Sequence, residues 1–352
     1  MRSLSTARRS SLLAAVFGCA ALTACSTPPP PPVVYIPPPP PSPAAFALSP
    51  AVIKDAAAYE AYMRRTAAIT PNFTNGDDVA AALKSGESYD PRLLLRGEVA
   101  YAAMAALQDP AFAAEIRSYG VDPAGRRAMI ERLDGDSNFV NAFKNAPTAA
   151  GLAQQALMAQ GQALQAAGLA MKQAAYDLQH QPWSTQFVQN RDQRLADAKI
   201  LSVGTPDATV DEADRMRRGA DGSDPLPFTG APVAKAPYSS VIVRGLNIAA
   251  LALLGAAGDD QTAQLEPLFD DPRDQTCLSD AKLSLYECLA GAKPHYEDVF
   301  CLGQHVMLDT AQCVRISAGE LAPVFTMTES STETPYAKPK SKGKHKPRRG
   351  AS

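Results

Sequence analysis

Apolar stretches with a helical period recur along the chain, separated by short polar breaks that open on Ser-Pro or Asp-Pro. Ser49-Pro50 starts one stretch that runs to about Ile69, with Asp55 and Glu60 on its polar side. Pro71 to Asp78, rich in Asn, Thr and Gly, reads as a loop, and Asp77 as the cap of a short helix to Lys84. Asp90-Pro91, Asp109-Pro110 and Asp122-Pro123 each set a capping carboxylate before a proline. Proline suits the first helical position because its missing N–H would have no partner there anyway. These openings predict helices to about Leu107, Tyr119 and Leu133, with Gly120 stopping the second. Their spacing is irregular, so no solenoid repeat follows.

The segment from Pro147 to Gln179 is the longest predicted helix. Leu157, Leu164, Met171 and Leu178 recur every seven residues, and Gly161, Gly168 and Ala175 hold the complementary seam position. Large residues facing small ones let a second helix approach closely. That partner is either another helix of this chain or a second copy joined through the 157–178 seam. No charge occurs from Thr148 to Ala170, and the glutamines at 154, 155, 160, 162 and 165 argue against a bilayer span. Trp183 and Ser184 are expected to begin a further helical stretch to about Leu201. Residues 205–238, with five prolines and three glycines among mixed charges, read as a linker or long surface loop. Ser239 to Ala257 is the most apolar piece of the chain after residue 24 and is read as a buried helix, interrupted by Arg244 and Asn247. Val243-Arg244-Gly245 echoes Leu95-Arg96-Gly97, a match too short to claim duplication.

Apolar residues make up 46% of the chain and aromatics only 7%, with alanine prominent, a profile of helices packed through small side chains. The predicted fold is all-α: an alanine-rich helical array or bundle over 50–204, and a smaller disulfide-stapled α-hairpin domain over 239–324. Charge is unevenly placed. Of 34 Lys and Arg, three lie at Arg2, Arg8 and Arg9 and seven between Lys338 and Arg349, leaving 24 against 36 acids in the body. An acidic body argues against nucleic-acid binding.

Four cysteines, Cys277, Cys288, Cys301 and Cys313, are spaced eleven, thirteen and twelve positions apart. Eleven residues are close to three helical turns, so Cys277 and Cys288 share one face but sit about 16 Å apart along the axis. A disulfide needs Cα atoms within about 7 Å, so the pair cannot bridge within its helix. Pro294 starts a second helix, and antiparallel geometry gives the nested pairing Cys277–Cys313 with Cys288–Cys301. One objection is visible: Cys301 and Cys313 fall about 120° off a common face of an α-helix, so Gly303 is a candidate break. The alternative chemistry is zinc, with His295 and His305 nearby and Cys301-x-x-x-His305 at a workable ligand spacing. No close CxxC pair supports it, and no metal or other cofactor is expected.

Upstream, Leu22-Thr23-Ala24-Cys25 follows a positive segment and an apolar run from Ser11, and precedes a proline ladder. The run resembles the lipobox of bacterial lipoprotein precursors. The resemblance implies that residues 1–24 are a signal peptide and that Cys25 is acylated, giving a stable membrane anchor. Ser26 after the cysteine then implies sorting to the outer membrane, with the body facing the periplasm. Such a compartment is oxidising, which favours disulfides over thiolates. Pro28 to Pro43 predicts an extended polyproline rod on the order of 50 Å long, a stalk within residues 25–49. Residues 325–352 read as a disordered basic tail, with Lys338, Lys340, Lys342, Lys344, Lys346, Arg348 and Arg349 suited to anionic lipid, peptidoglycan or an acidic protein face.

No catalytic residue is nominated. Glu87-Ser88-Tyr89-Asp90-Pro91 resembles the glutamate motif of lytic transglycosylases, but is one residue short and lacks that family's downstream element. Asp134, Asp136 and Asn138 resemble the start of a calcium loop, yet Phe139 and Asn145 occupy the positions that need Gly and Glu. His295-Tyr296-Glu297-Asp298 reads as a run of neighbours pointing apart. The expectation is a non-catalytic outer-membrane lipoprotein, an envelope scaffold or adaptor with envelope-protein partners and no nucleic acid. The alternatives are peptidoglycan tethering through the tail and a cell-wall-modifying enzyme.

Overall fold

The computed structural model describes residues 44–321, apart from 205, 206, 229 and 231. The described residues fold as helices: α1 Pro50–Ala67, α2 Gly76–Glu87, α3 Pro91–Ala106, α4 Pro110–Tyr119, α5 Pro123–Gly135, α6 Ala146–Leu178, α7 Arg191–Leu201, α8 Val210–Asp221, α9 Ser240–Leu253, α10 Thr262–Leu265, α11 Pro272–Gly291, α12 His295–Cys301 and α13 Thr310–Ser317. No β-strand occurs among them, only two isolated bridges.

Local chemistry explains most starts. Asp90 Oδ1 accepts from the Arg92 and Leu93 N–H at 2.9 Å, Asp109 from Phe112 at 2.8 Å and Asp122 from Gly125 at 2.7 Å. Asp271-Pro272 opens α11 in the same way. The cap of α2 is Asn75, whose Oδ1 accepts from the Asp78 N–H at 3.0 Å. Asp77, expected as the cap, instead lies in the first turn, where a negative charge suits the helix dipole.

Helix α3 is the centre, buried from Leu94 to Ala106 apart from Arg96. Two glycines let its neighbours close in. A Cβ on Gly97 would stand 2.6 Å from the Tyr59 Cβ of α1, and one on Gly245 of α9 would stand 2.8 Å from the Ala102 Cβ of α3. The matched Arg-Gly pairs thus have matched roles. Arg96 binds Asp55 at 2.6 Å and Glu266 at 2.7 Å, while Arg244 donates to the Pro267 carbonyl at 2.7 Å. Both arginines grip the segment before α11.

The seam of α6 is filled from within the chain. Leu157, Leu164 and Met171 are fully buried against α13, α12 and the turns between them. A Cβ on Gly168 would meet Leu308 and Met307 at 2.8–2.9 Å, and one on Gly303 would meet the Lys172 N at 2.9 Å. Leu157 to Met171 of the seam thus pack within the chain, and Leu178 at its end is half-buried. The two expected domains also merge. One hydrophobic core runs from Leu48 to Ala318, because α9 packs on α3 and α12–α13 pack on α6.

Two further expectations change. Residues 205–238 contain α8, set by a capping box in which Thr209 and Glu212 each bond the other's backbone N–H. The prolines flank this helix without entering it. Trp183 and Ser184 belong to a turn, and the helix to Leu201 begins only at Arg191.

The cysteines pair as the hairpin geometry predicted, Cys277–Cys313 with Cα atoms 5.8 Å apart and Cys288–Cys301 at 5.7 Å. The 120° objection is met by a π-helix over Leu302–Asp309, between α12 and α13. An i→i+5 helix turns only about 80–85° per residue against about 100° in an α-helix, so eight such residues remove roughly 120–160°. Cys301 and Cys313 then return to one face, and Gly303 lies inside the widened turn where α6 comes closest.

Candidate functional site

A cleft of about 500 Å³ opens between α2, α7 and the start of α12. Gly76, Ala80, Leu83, Lys84 and Glu87 face it from one side of α2, and Gln193, Arg194, Asp197, Ile200 and Leu201 from one side of α7. Steps of three and four residues put each set on a single helix face. His295 and Asp298, three apart on α12, close the third wall.

The loop before α7 is placed by long-range backbone bonds. The Val188 N–H donates to the Lys293 carbonyl at 2.8 Å, Tyr296 to Ser184 at 3.2 Å and His295 to Gln186 at 3.3 Å. Asn190 then turns the chain into α7 with φ +53°, a conformation asparagine tolerates better than most residues. Two arginines of α7 bind the carbonyl end of α11. Arg191 donates to Ala292 at 2.7 Å and to Ala290 at 2.9 Å, and Arg194 donates to Leu289 and to the Asp298 carboxylate. Cations there satisfy carbonyls that the helix itself leaves free.

Glu87 ends α2 with its side chain buried. Behind it, Lys282 of α11 donates Nζ to the Glu87 backbone carbonyl at 2.6 Å and stands 3.5 Å from the Tyr89 ring centroid. Burial pushes the Glu87 carboxyl up to about 7, against the attraction of Lys282. Burial also brings the Lys282 amine down to about 7, with Glu87 opposing. Asp298 is raised to about 6 by burial, against Arg194. His295 is held below its ordinary value by burial and by the Arg194 charge, which favours neutral imidazole. The wall thus combines groups that switch between donor and acceptor with apolar surface from Leu83, Val188 and Leu201, at a size suited to a small ligand.

Of the residues singled out from sequence, the structure brings together the four cysteines, in two disulfide pairs. Sulfurs in disulfides are not thiolate ligands, and His305 instead pairs with Asp309 at 2.7 Å. Among the described residues no group of three His, Cys, Asp or Glu side chains is arranged to hold a metal ion. Asp136 accepts from the Asn138 N–H at 2.9 Å, as a cap of the short 3₁₀ turn Ser137–Ala142. Cys25 and the basic residues from Lys338 to Arg349 lie outside the described residues. No described helix is long and apolar enough to cross a membrane.

Sequence alone does not announce the cleft. Neighbours in His295-Tyr296-Glu297-Asp298 do point apart, and Tyr296 and Glu297 face a separate hollow beside Cys288–Cys301, but His295 and Asp298 converge on one wall. The i, i+3 pair His295 and Asp298 was the usable signal. No protein-family model, curated protein or solved structure matches the chain.

Proposed function

We propose that the chain is a lipid-anchored cell-envelope protein, held at the outer membrane through Cys25 and facing the periplasm, whose helical body is a non-catalytic scaffold holding a ligand in the α2/α7/α12 cleft. The anchor rests on the Leu22–Cys25 run and the positive and apolar segments before it. The observation that carries the non-catalytic reading is the commitment of the cleft's charges to structure. Arg194 is spent on Asp298 and on the carbonyl end of α11, and Lys282 on the Glu87 carbonyl. Groups held this way fix the shape of a wall, and the carboxyl left unpaired in it is that of Glu87.

The test uses the full chain in a double-membrane bacterium. Labelled palmitate should enter the wild-type protein and not Cys25→Ser, and only the wild type should fractionate with outer membrane. A Cys25→Ser protein that stays membrane-bound removes the anchor. Purified protein should release no soluble fragments from sacculi. Release that Glu87→Gln abolishes would overturn the scaffold reading in favour of a cell-wall-modifying enzyme, which the raised Glu87 carboxyl favours.

A further inference from the structure

Helix α6 turns a second heptad outward. Gln155, Gln162, Leu169 and Tyr176 recur every seven residues, with Ala159 and Ala166 in the complementary row, and all six are exposed. They run opposite the buried row of Leu157, Leu164 and Met171. Leu169 is 58% exposed and Tyr176 50%. The first charge on α6 is Lys172. A helix face toward water ordinarily carries charge, as α8 does with seven charged residues in its twelve. A face that omits it over about 33 Å has the composition of an interface core.

Charge and shape select the occupant. The body carries 24 basic against 36 acidic residues, so two copies repel except where neither presents charge. The basic residues from Lys338 to Arg349 would find no counter-charge on this strip, and a membrane-binding face would need basic residues and more large apolar ones. The two ends of the strip fit each other. Beside Gln155 a hollow of about 390 Å³ is lined by Met158, Val233 and Ala318, and Val233 is 67% exposed. Met158 and Tyr176 are about five full turns apart, so they lie in line on one flank of α6. A two-fold axis perpendicular to α6 near Ala166 keeps that flank common to both helices and sets each Tyr176 over the other copy's hollow. Ala159 and Ala166 let the two backbones approach to about 8 Å. A parallel pairing would instead set Asp177 against Asp177. A strip of about 33 Å by about 15 Å hides about 500 Å² per copy, and with the filled hollows the total passes the roughly 1,000 Å² that a specific interface needs.

We propose that the outward face of α6 joins two copies of this chain as an antiparallel homodimer, with each Tyr176 covering the Met158–Val233 hollow of the other. The inference depends on neither the cleft nor the membrane anchor.

The full-length chain is expressed in a double-membrane bacterium with single added cysteines and run on non-reducing gels. The four body cysteines are paired with one another, so a dimer band that the wild type lacks reports the added thiol. Ala166→Cys, beside the axis, should give that band. Ala159→Cys should not pair with itself, since its mate lies about 20 Å away along the helix, but should pair with co-expressed Gln173→Cys. Leu169→Asp or Gln162→Glu, added to Ala166→Cys, should cut the band about tenfold or more by burying an unpaired charge, with the thermal midpoint by circular dichroism unchanged. Gln162→Glu decides the matter if Leu169→Asp unfolds. Ile200→Asp, as exposed on α7, should leave the band intact. No band from Ala166→Cys, a band from Ala159→Cys alone, cross-linking only to a protein of another size, or a band that folded charge variants leave intact overturns the proposal. Those results leave the anchor and the cleft untouched.

Discussion

Glu98 sits in the middle of α3 with no exposure, and neither of its carboxylate oxygens has a partner. Burial, with Asp274 nearby, holds its carboxyl well above the usual range, which favours the protonated form in the fold. The unfolded chain releases that proton above about pH 4.5, so stability is lost as pH rises beyond that point. Glu87 and Asp274, raised to about 7 and about 6 by burial, act in the same direction up to those values. Glu98→Gln is therefore expected to leave the urea midpoint at pH 4 nearly unchanged and to raise it at pH 8. An equal effect at both pH values would show that Glu98 is ionised in the fold. These acids were not legible in the sequence, because a single carboxylate inside an apolar run does not reveal which way it points. Asp90, Asp109 and Asp122 were legible, since a cap is satisfied by its own next turn.

At the scale of elements, features that a segment decides for itself were readable, and features decided by distant contacts were not. The Asp-Pro openings, the α6 repeat and the cysteine hairpin belong to the first kind. The turn at 179–190 belongs to the second, because its bonds run to residues 293–296. Helix α8 carries a local signal too: Thr209-x-x-Glu212 is a capping box in plain sequence, set among prolines whose composition alone suggests a linker. The same division explains the cleft, where α2 and α7 each show a face but nothing local says that the faces meet. The π-helix adds a specific expectation for the hairpin. It keeps Cys301 and Cys313 on one side, so both bridges form without displacing α6. Replacing Cys288 and Cys301 by Ser should cost about 3 kcal/mol, and replacing Cys277 and Cys313 about 4 kcal/mol, because the second bridge closes the longer loop. Chemical denaturation of the two double variants checks the order. A larger loss from the 288–301 pair would mean that the inner bridge braces the cleft wall as well as the chain.

For the molecule as a whole, composition suggested two domains joined by a linker, and packing makes one core. The merging contacts, Gly245 of α9 on α3 and Gly303 on α6, depend on glycines far apart in sequence, so no local pattern announces them. A single core predicts a single cooperative transition. Far-ultraviolet and near-ultraviolet circular dichroism should report the same thermal midpoint under oxidising conditions. Two separated midpoints, one for 50–204 and one for 239–321, would restore the two-domain picture.

The nested bridges also decide how the body carries tension. The chain enters beside α9, where Ala47 bonds Ala252 at 3.1 Å and Ser49 bonds Ala257 at 2.7 Å, and its last described turn follows α13. A pull between residues 44 and 321 reaches Cys313 and passes through the outer bridge straight to Cys277 on α11. The 36-residue span between them is bypassed, which shortens the stretched chain by about 120 Å. That span contains α12, so the cleft wall formed by His295 and Asp298 lies off the line of force.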